Sequence, residues 1–119
     1  MLKLTKTALF ALTAKLRLPT ETPGTFNEGA ITAKVKVKTK EQLLDMSEQG
    51  FTDIEYINEL VDSVEGLGDE NGQPITGDAA MHEVRSGAWS PFLQAAILAA
   101  YFEQFGEARV KNSKPSRGR

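Results

Sequence analysis

Apolar and polar residues alternate from Ala8 to Leu18, with Phe10, Leu12, Ala14, Leu16 and Leu18 on one parity and Thr13, Lys15 and Arg17 between them. Side chains along a strand point to opposite faces with a period of two, so the pattern predicts a strand with one buried face. Pro19-Thr20-Glu21-Thr22-Pro23-Gly24 interrupts it and predicts a loop. The alternation resumes with Ile31, Ala33, Val35 and Val37 on one side and Thr32, Lys34, Lys36 and Lys38 on the other. Phe26 falls on the opposite parity, so a bulge at Gly29 is expected to change the phase. The two strands are expected to pair as an antiparallel hairpin with one wet, lysine-rich face. A lone hairpin is marginally stable, so its apolar face calls for helices over it.

Beyond Lys38 the period lengthens to that of a helix. Thr39-Lys40-Glu41-Gln42 reads as a capping box that opens a short helix through Leu43, Leu44 and Met46, closed by Gly50. Thr52-Asp53-Ile54-Glu55 is a second capping box, and Phe51 and Tyr56 have the spacing of a hydrophobic staple. Ile54, Ile57, Leu60, Val61 and Val64 share about a third of the helical circumference, which predicts an amphipathic helix running to Val64. An Asn71-Gly72 turn between Leu67 and Ile75 predicts a tiny hairpin or tight loop. Thr76 is expected to cap a short helix carrying Ala79, Ala80, Met81 and Val84, closed by Gly87.

The most apolar segment comes last. Ser90 is a cap candidate and Pro91 suits the first helical position, where its missing amide costs nothing. From Phe92 to Phe105 only Gln94, Glu103 and Gln104 interrupt the apolar residues, and Gly106 is expected to end the helix. Such a helix is apolar nearly all round and must be covered on more than one side. The rest of the fold accounts for most of that cover, and one face remains a candidate for a protein partner. Its length falls short of the roughly 20 residues needed to span a bilayer. These elements predict an α+β fold, an N-terminal antiparallel β-hairpin or small sheet followed by about four helices. Residues 1–110 are expected to form a single domain, and 111–119 a basic disordered tail.

The net charge of −2 conceals segregation. Residues 1–40 hold eight Lys or Arg against Glu21 and Glu28, residues 41–83 hold twelve carboxylates and no Lys or Arg, and the remainder holds six bases against Glu103 and Glu107. The charges either neutralise one another around the fold or steer association with a basic protein partner. The acidic centre disfavours nucleic acid. Lys34, Lys36 and Lys38 read either as a phosphate-binding stripe or as a solvated face that discourages edge aggregation.

Catalytic constellations are missing. There is no cysteine and a single histidine, His82, which excludes disulfides, thiolate chemistry and histidine-rich metal clusters. No cofactor is expected. Asp69-Glu70-Asn71-Gly72 lacks the ligand spacing and closing glutamate of a calcium loop. His82-Glu83 has no second histidine four residues on, no phosphate-binding loop is present, and no serine has a supporting His/Asp set. An enzyme is not expected. Met1-Leu2-Lys3-Leu4 lacks the apolar core of a signal peptide, which predicts a cytosolic protein.

The stretch Glu59-Leu60-Val61-Asp62-Ser63-Val64-Glu65-Gly66-Leu67-Gly68-Asp69-Glu70-Asn71-Gly72-Gln73-Pro74-Ile75-Thr76 resembles the tail assembly chaperones of long-tailed bacteriophages and prophages. In many members a helix ends in aromatic-Glu-Gly-hydrophobic, followed by an acidic Asp/Asn-Gly turn, Pro-hydrophobic and a Ser/Thr-capped helix. A final Ala- and aromatic-rich helix then leads to Ala-Arg-x-Lys-Asn, here Glu107-Ala108-Arg109-Val110-Lys111-Asn112. The basic N-terminal hairpin is also similar; Val64 stands where many members have Trp. The resemblance implies a non-enzymatic factor of the infected host's cytoplasm, absent from the mature virion. Such a factor coats the tape-measure protein and helps recruit tail tube subunits. Self-association of this chain is a further expectation. Trp89, Leu93, Ile97, Tyr101 and Phe105 are the candidate partner contacts. The alternative is a structural minor tail or tail tube component, and Lys111-Asn112 could overlap a frameshift site that extends the product.

Overall fold

The computed structural model describes residues 9–105. The alternating segments become β1 (Leu9–Pro19) and β2 (Phe26–Lys36), paired antiparallel from Leu9↔Lys36 to Pro19↔Phe26. Leu12, Ala14, Ile31, Ala33 and Val35 are buried, while Lys15, Arg17, Lys34 and Lys36 face solvent, as the period of two requires. The expected bulge at Gly29 is absent: the register is continuous, with Leu16 opposite Gly29. Phe26 keeps its opposite parity by staying exposed, and the Arg17 guanidinium lies 4.0 Å from its ring centroid. In the connecting loop Thr20 and Thr25 are joined through their hydroxyls, and Gly24 supplies a φ of 84°.

Both capping boxes form. Thr39 opens α1 (Lys40–Glu48) and Thr52 opens α2 (Asp53–Leu60), each exchanging bonds with the residue three positions on, Gln42 and Glu55. The Phe51 and Tyr56 rings sit 5.4 Å apart, which completes the staple.

The second helix does not reach Val64. It stops at Leu60, and Val61–Glu65 forms β3, antiparallel to β2, so the sheet has three strands in the order β1-β2-β3. Val61 already has extended dihedrals (φ −101°, ψ 126°). Val35 pairs with Val61 but Lys34 with Ser63, so Asp62 is the extra residue of a bulge. In a regular strand, residues three apart face opposite sides; the bulge lets both Val61 and Val64 point into the core. Their three-residue spacing therefore imitates a helix. β-Branched valines and the polar Asp62-Ser63 pair lower the cost of leaving the helix, and the free edge of β2 supplies hydrogen-bond partners.

Gly66 then turns the chain away at φ 103°, where a Cβ would sit 3.2 Å from Ile31 Cα and 3.3 Å from the Ala30 carbonyl oxygen. The short strands β4 (Leu67–Gly68) and β5 (Pro74–Ile75) form the small hairpin. Asp69 Oδ1 accepts from the Asn71 and Gln73 amides across its turn. Next come α3 (Gly77–Ser86) and α4 (Ser90–Phe105). Thr76 occupies the cap position of α3 without a side-chain capping bond. The last helix begins one residue earlier than expected, its first full-turn bond running from the Leu93 amide to the Trp89 carbonyl.

α4 lies across β1 and also packs on α2 and α3. Leu93, Ile97, Leu98, Tyr101 and Phe102 join one core with the sheet's inner face, Leu43, Ile57 and Leu60. Gln94, the polar residue inside the helix, donates to the Val84 and Arg85 carbonyls at the end of α3. An aromatic series runs through the centre, with Tyr56–Phe102 and Tyr101–Phe102 both edge-to-face at 5.4 Å. The Gly106 helix stop, the Ala108-Arg109-Val110-Lys111-Asn112 ending and the basic segment 111–119 lie outside the described residues.

A candidate partner-binding groove

Three of the five residues singled out as partner contacts lie inside the core. Leu93 is 3% exposed and Ile97 and Tyr101 are fully buried, so these three side chains form the inner stripe of α4. The correction follows from side-chain size. Large groups at 93, 97 and 101 fill the space over the sheet, whereas Ala95 and Ala99 fall on the solvent side, where their small side chains bury little area.

Tyr101 has a structural task that the sequence pattern did not reveal. Its hydroxyl donates to the Lys36 carbonyl (2.9 Å) and accepts from the Lys38 amide (3.2 Å), the two backbone groups flanking the end of β2. Burial raises its pKa above the usual phenol value, opposed by the hydrogen bond from the Lys38 backbone. Phe105, half-buried, packs its ring 5.2 Å from that of Tyr101 at the helix end.

Trp89 is different. It is 41% exposed, it precedes the first turn of α4, and its ring lies 5.5 Å from that of Phe92, itself 44% exposed. A groove of about 730 Å³ opens beside it, between the outer end of the β1–β2 hairpin and the β4–β5 hairpin. Leu18 and Pro19 line it from the β1–β2 hairpin, Leu67 and Ile75 from the β4–β5 hairpin, and Trp89 with the buried Leu93 from the start of α4. Glu21, Asp69, Glu70 and Glu83 also line it, and no Lys, Arg or His does so among the described residues. Sequence reasoning had marked Trp89 and Leu93 but not the hairpin residues, which lie far apart in sequence and meet only through the sheet. A second concavity of about 500 Å³ lies on the outer hairpin, between Lys15–Arg17 and Glu28–Ala30.

Most of the acidic block stays unneutralised by ion pairs within the described residues. Among the described residues Lys38 Nζ to Glu59 Oε2, at 2.8 Å, is the one bridge joining that block to the basic N-terminal segment, and Arg17–Glu28, at 3.4 Å, is an exposed pair within the hairpin. The Lys38 hydrogen bond, then its charge, holds the Glu59 carboxyl below the usual carboxylate range. His82 is exposed on α3, its Nδ1 3.5 Å from the Ser86 hydroxyl. Among the described residues no three His, Cys, Asp or Glu are grouped to hold a metal ion, and no helix is long and apolar enough to cross a membrane. No family model, curated protein or solved structure matches the chain.

Proposed function

We propose that this chain is a binding protein without catalytic activity, whose task is to cover apolar surface on another polypeptide. More particularly, it acts as a tail assembly chaperone of a long-tailed phage or prophage. It binds the tape-measure protein in the host cytoplasm, helps recruit tail tube subunits and is left out of the finished virion. One observation carries the reading: a groove built around an exposed tryptophan, open to solvent beside a second exposed aromatic, Phe92. Exposed aromatic clusters of this kind mark protein-binding surfaces, and tryptophan is prominent among residues that dominate interface energy. A tape-measure chain is long and helical, and amphipathic helices dock by laying an apolar face into such grooves. The sequence resemblance over residues 59–76 points the same way.

Co-expression with the tape-measure protein tests the reading. The expected result is a soluble complex carrying several copies of this chain per partner, with Trp89→Ala lowering recovery of the partner while leaving this chain folded. A partner that precipitates regardless, while this chain enters tubes or virions, would instead establish the structural tail component.

A further inference from the structure

The groove is apolar at its base and anionic at its margins, and this combination restricts its occupant. Glu21 stands on the hairpin loop and Glu70 on the β4–β5 turn, both exposed, and Glu83 projects from α3. Asp69 uses Oδ1 to hold its own turn but adds its charge to the same margin. Four carboxylates line one apolar trough, and no Lys, Arg or His does so among the described lining residues. A cation-bearing segment settling there meets charge of the opposite sign, and an anionic one meets charge of its own.

We infer that the groove selects a basic amphipathic helix of the partner, with apolar side chains seated on Trp89 between the half-buried Leu18 and Leu67, and Lys or Arg flanking them against Glu21 and Glu70. This rests on the reading of the groove as the partner-binding surface and adds the charge and pattern of what it accepts. The apolar floor supplies affinity; the acidic margins supply orientation, association rate and rejection of acidic helices. Lys and Arg also cover apolar surface with their aliphatic stems, which suits a rim of this composition.

Trp89 is the only tryptophan, so its emission reports on the groove directly. Three synthetic 18-residue helical peptides without tryptophan are titrated into the full chain. The first has a leucine stripe flanked by lysine, the second the same stripe flanked by glutamate, and the third the lysines with alanine in place of leucine. The lysine–leucine peptide is expected to shift Trp89 emission and to bind at least about tenfold more tightly than either other peptide, an advantage that shrinks on adding salt. Glu21→Lys with Glu70→Lys, both at exposed loop positions, is expected to reverse the preference toward the glutamate–leucine peptide.

Equal binding of the lysine and glutamate peptides, or binding that leaves Trp89 emission unmoved, overturns the inference. So does the absence of binding by all three, the outcome expected if the chain's own basic residues 106–119 fill the groove. A Trp89 shift on simple dilution, marking a second copy there, also overturns it. Loss of charge preference with the tape-measure protein still kept soluble would sink this inference alone; loss of both would sink the chaperone reading too.

Discussion

Replacing Tyr101 by Phe separates the hydroxyl from the ring. The Phe side chain retains the edge-to-face contact with Phe102 and the packing on Phe105, both close to 5 Å between centroids. What disappears is the pair of bonds to the Lys36 carbonyl and the Lys38 amide. Each such bond contributes about 0.5–1.5 kcal/mol net, and partly buried groups left without partners add to the loss. The expected destabilisation is about 2 kcal/mol, or roughly 8 °C in Tm for a chain of this size. Urea unfolding followed by circular dichroism measures it, with the m-value unchanged because the buried surface is nearly the same. A second signature lies in pH. The fold favours the neutral phenol, so its contribution is complete below the unfolded pKa of about 10 and declines as pH rises from there through the higher folded value. The wild-type chain should therefore lose its advantage over Tyr101→Phe in alkaline solution. A difference under about 0.5 kcal/mol at neutral pH, or one constant across the alkaline range, would refute the structural role assigned to the hydroxyl.

Gly66→Ala should cost about 1–3 kcal/mol in urea unfolding, since it places a Cβ against the Ile31 and Ala30 backbone at a φ of 103°. Thr52→Ala removes the capping bond at the start of α2 and should cost about 1 kcal/mol by the same measurement, whereas the side chain of Thr76 caps nothing and Thr76→Ala should cost far less. The contribution of Glu59 is present above its unfolded pKa of about 4.3 and is lost as pH falls through its lowered folded value. Glu59→Gln should accordingly flatten the acid limb of a pH–stability curve slightly, because solvent screens this half-exposed pair.

Strong local signals translated directly into structure. The two capping boxes, the Phe51–Tyr56 staple, the Asn71-Gly72 turn and the alternation of β1 and β2 each depend on residues a few positions apart, and each forms. β3 was hidden because its apolar residues, Val61 and Val64, keep helical spacing, and the bulge at Asp62 that reconciles them with a strand is dictated by pairing with β2. Phe26 misled in the opposite sense: a phase change implied a bulge, but the side chain simply remains outside under Arg17. On α4 the apolar character was legible but not its rotation, since a helix apolar all round carries little information about which stripe faces inward. The contrast of bulky 93, 97 and 101 with alanines at 95 and 99 held that information in side-chain volume. The groove depends on four segments that only the tertiary fold assembles.

Site-specific photocrosslinking locates the partner on the surface of this chain. A benzoylphenylalanine placed at position 89 in the groove, and separately at the exposed Glu41 of α1 as a control, is irradiated during co-expression with the tape-measure protein. Binding in the groove predicts an adduct to the tape-measure protein from position 89 and little or none from position 41. Adducts from position 41 alone, or equal yields from both, would show that the partner is held somewhere other than the groove.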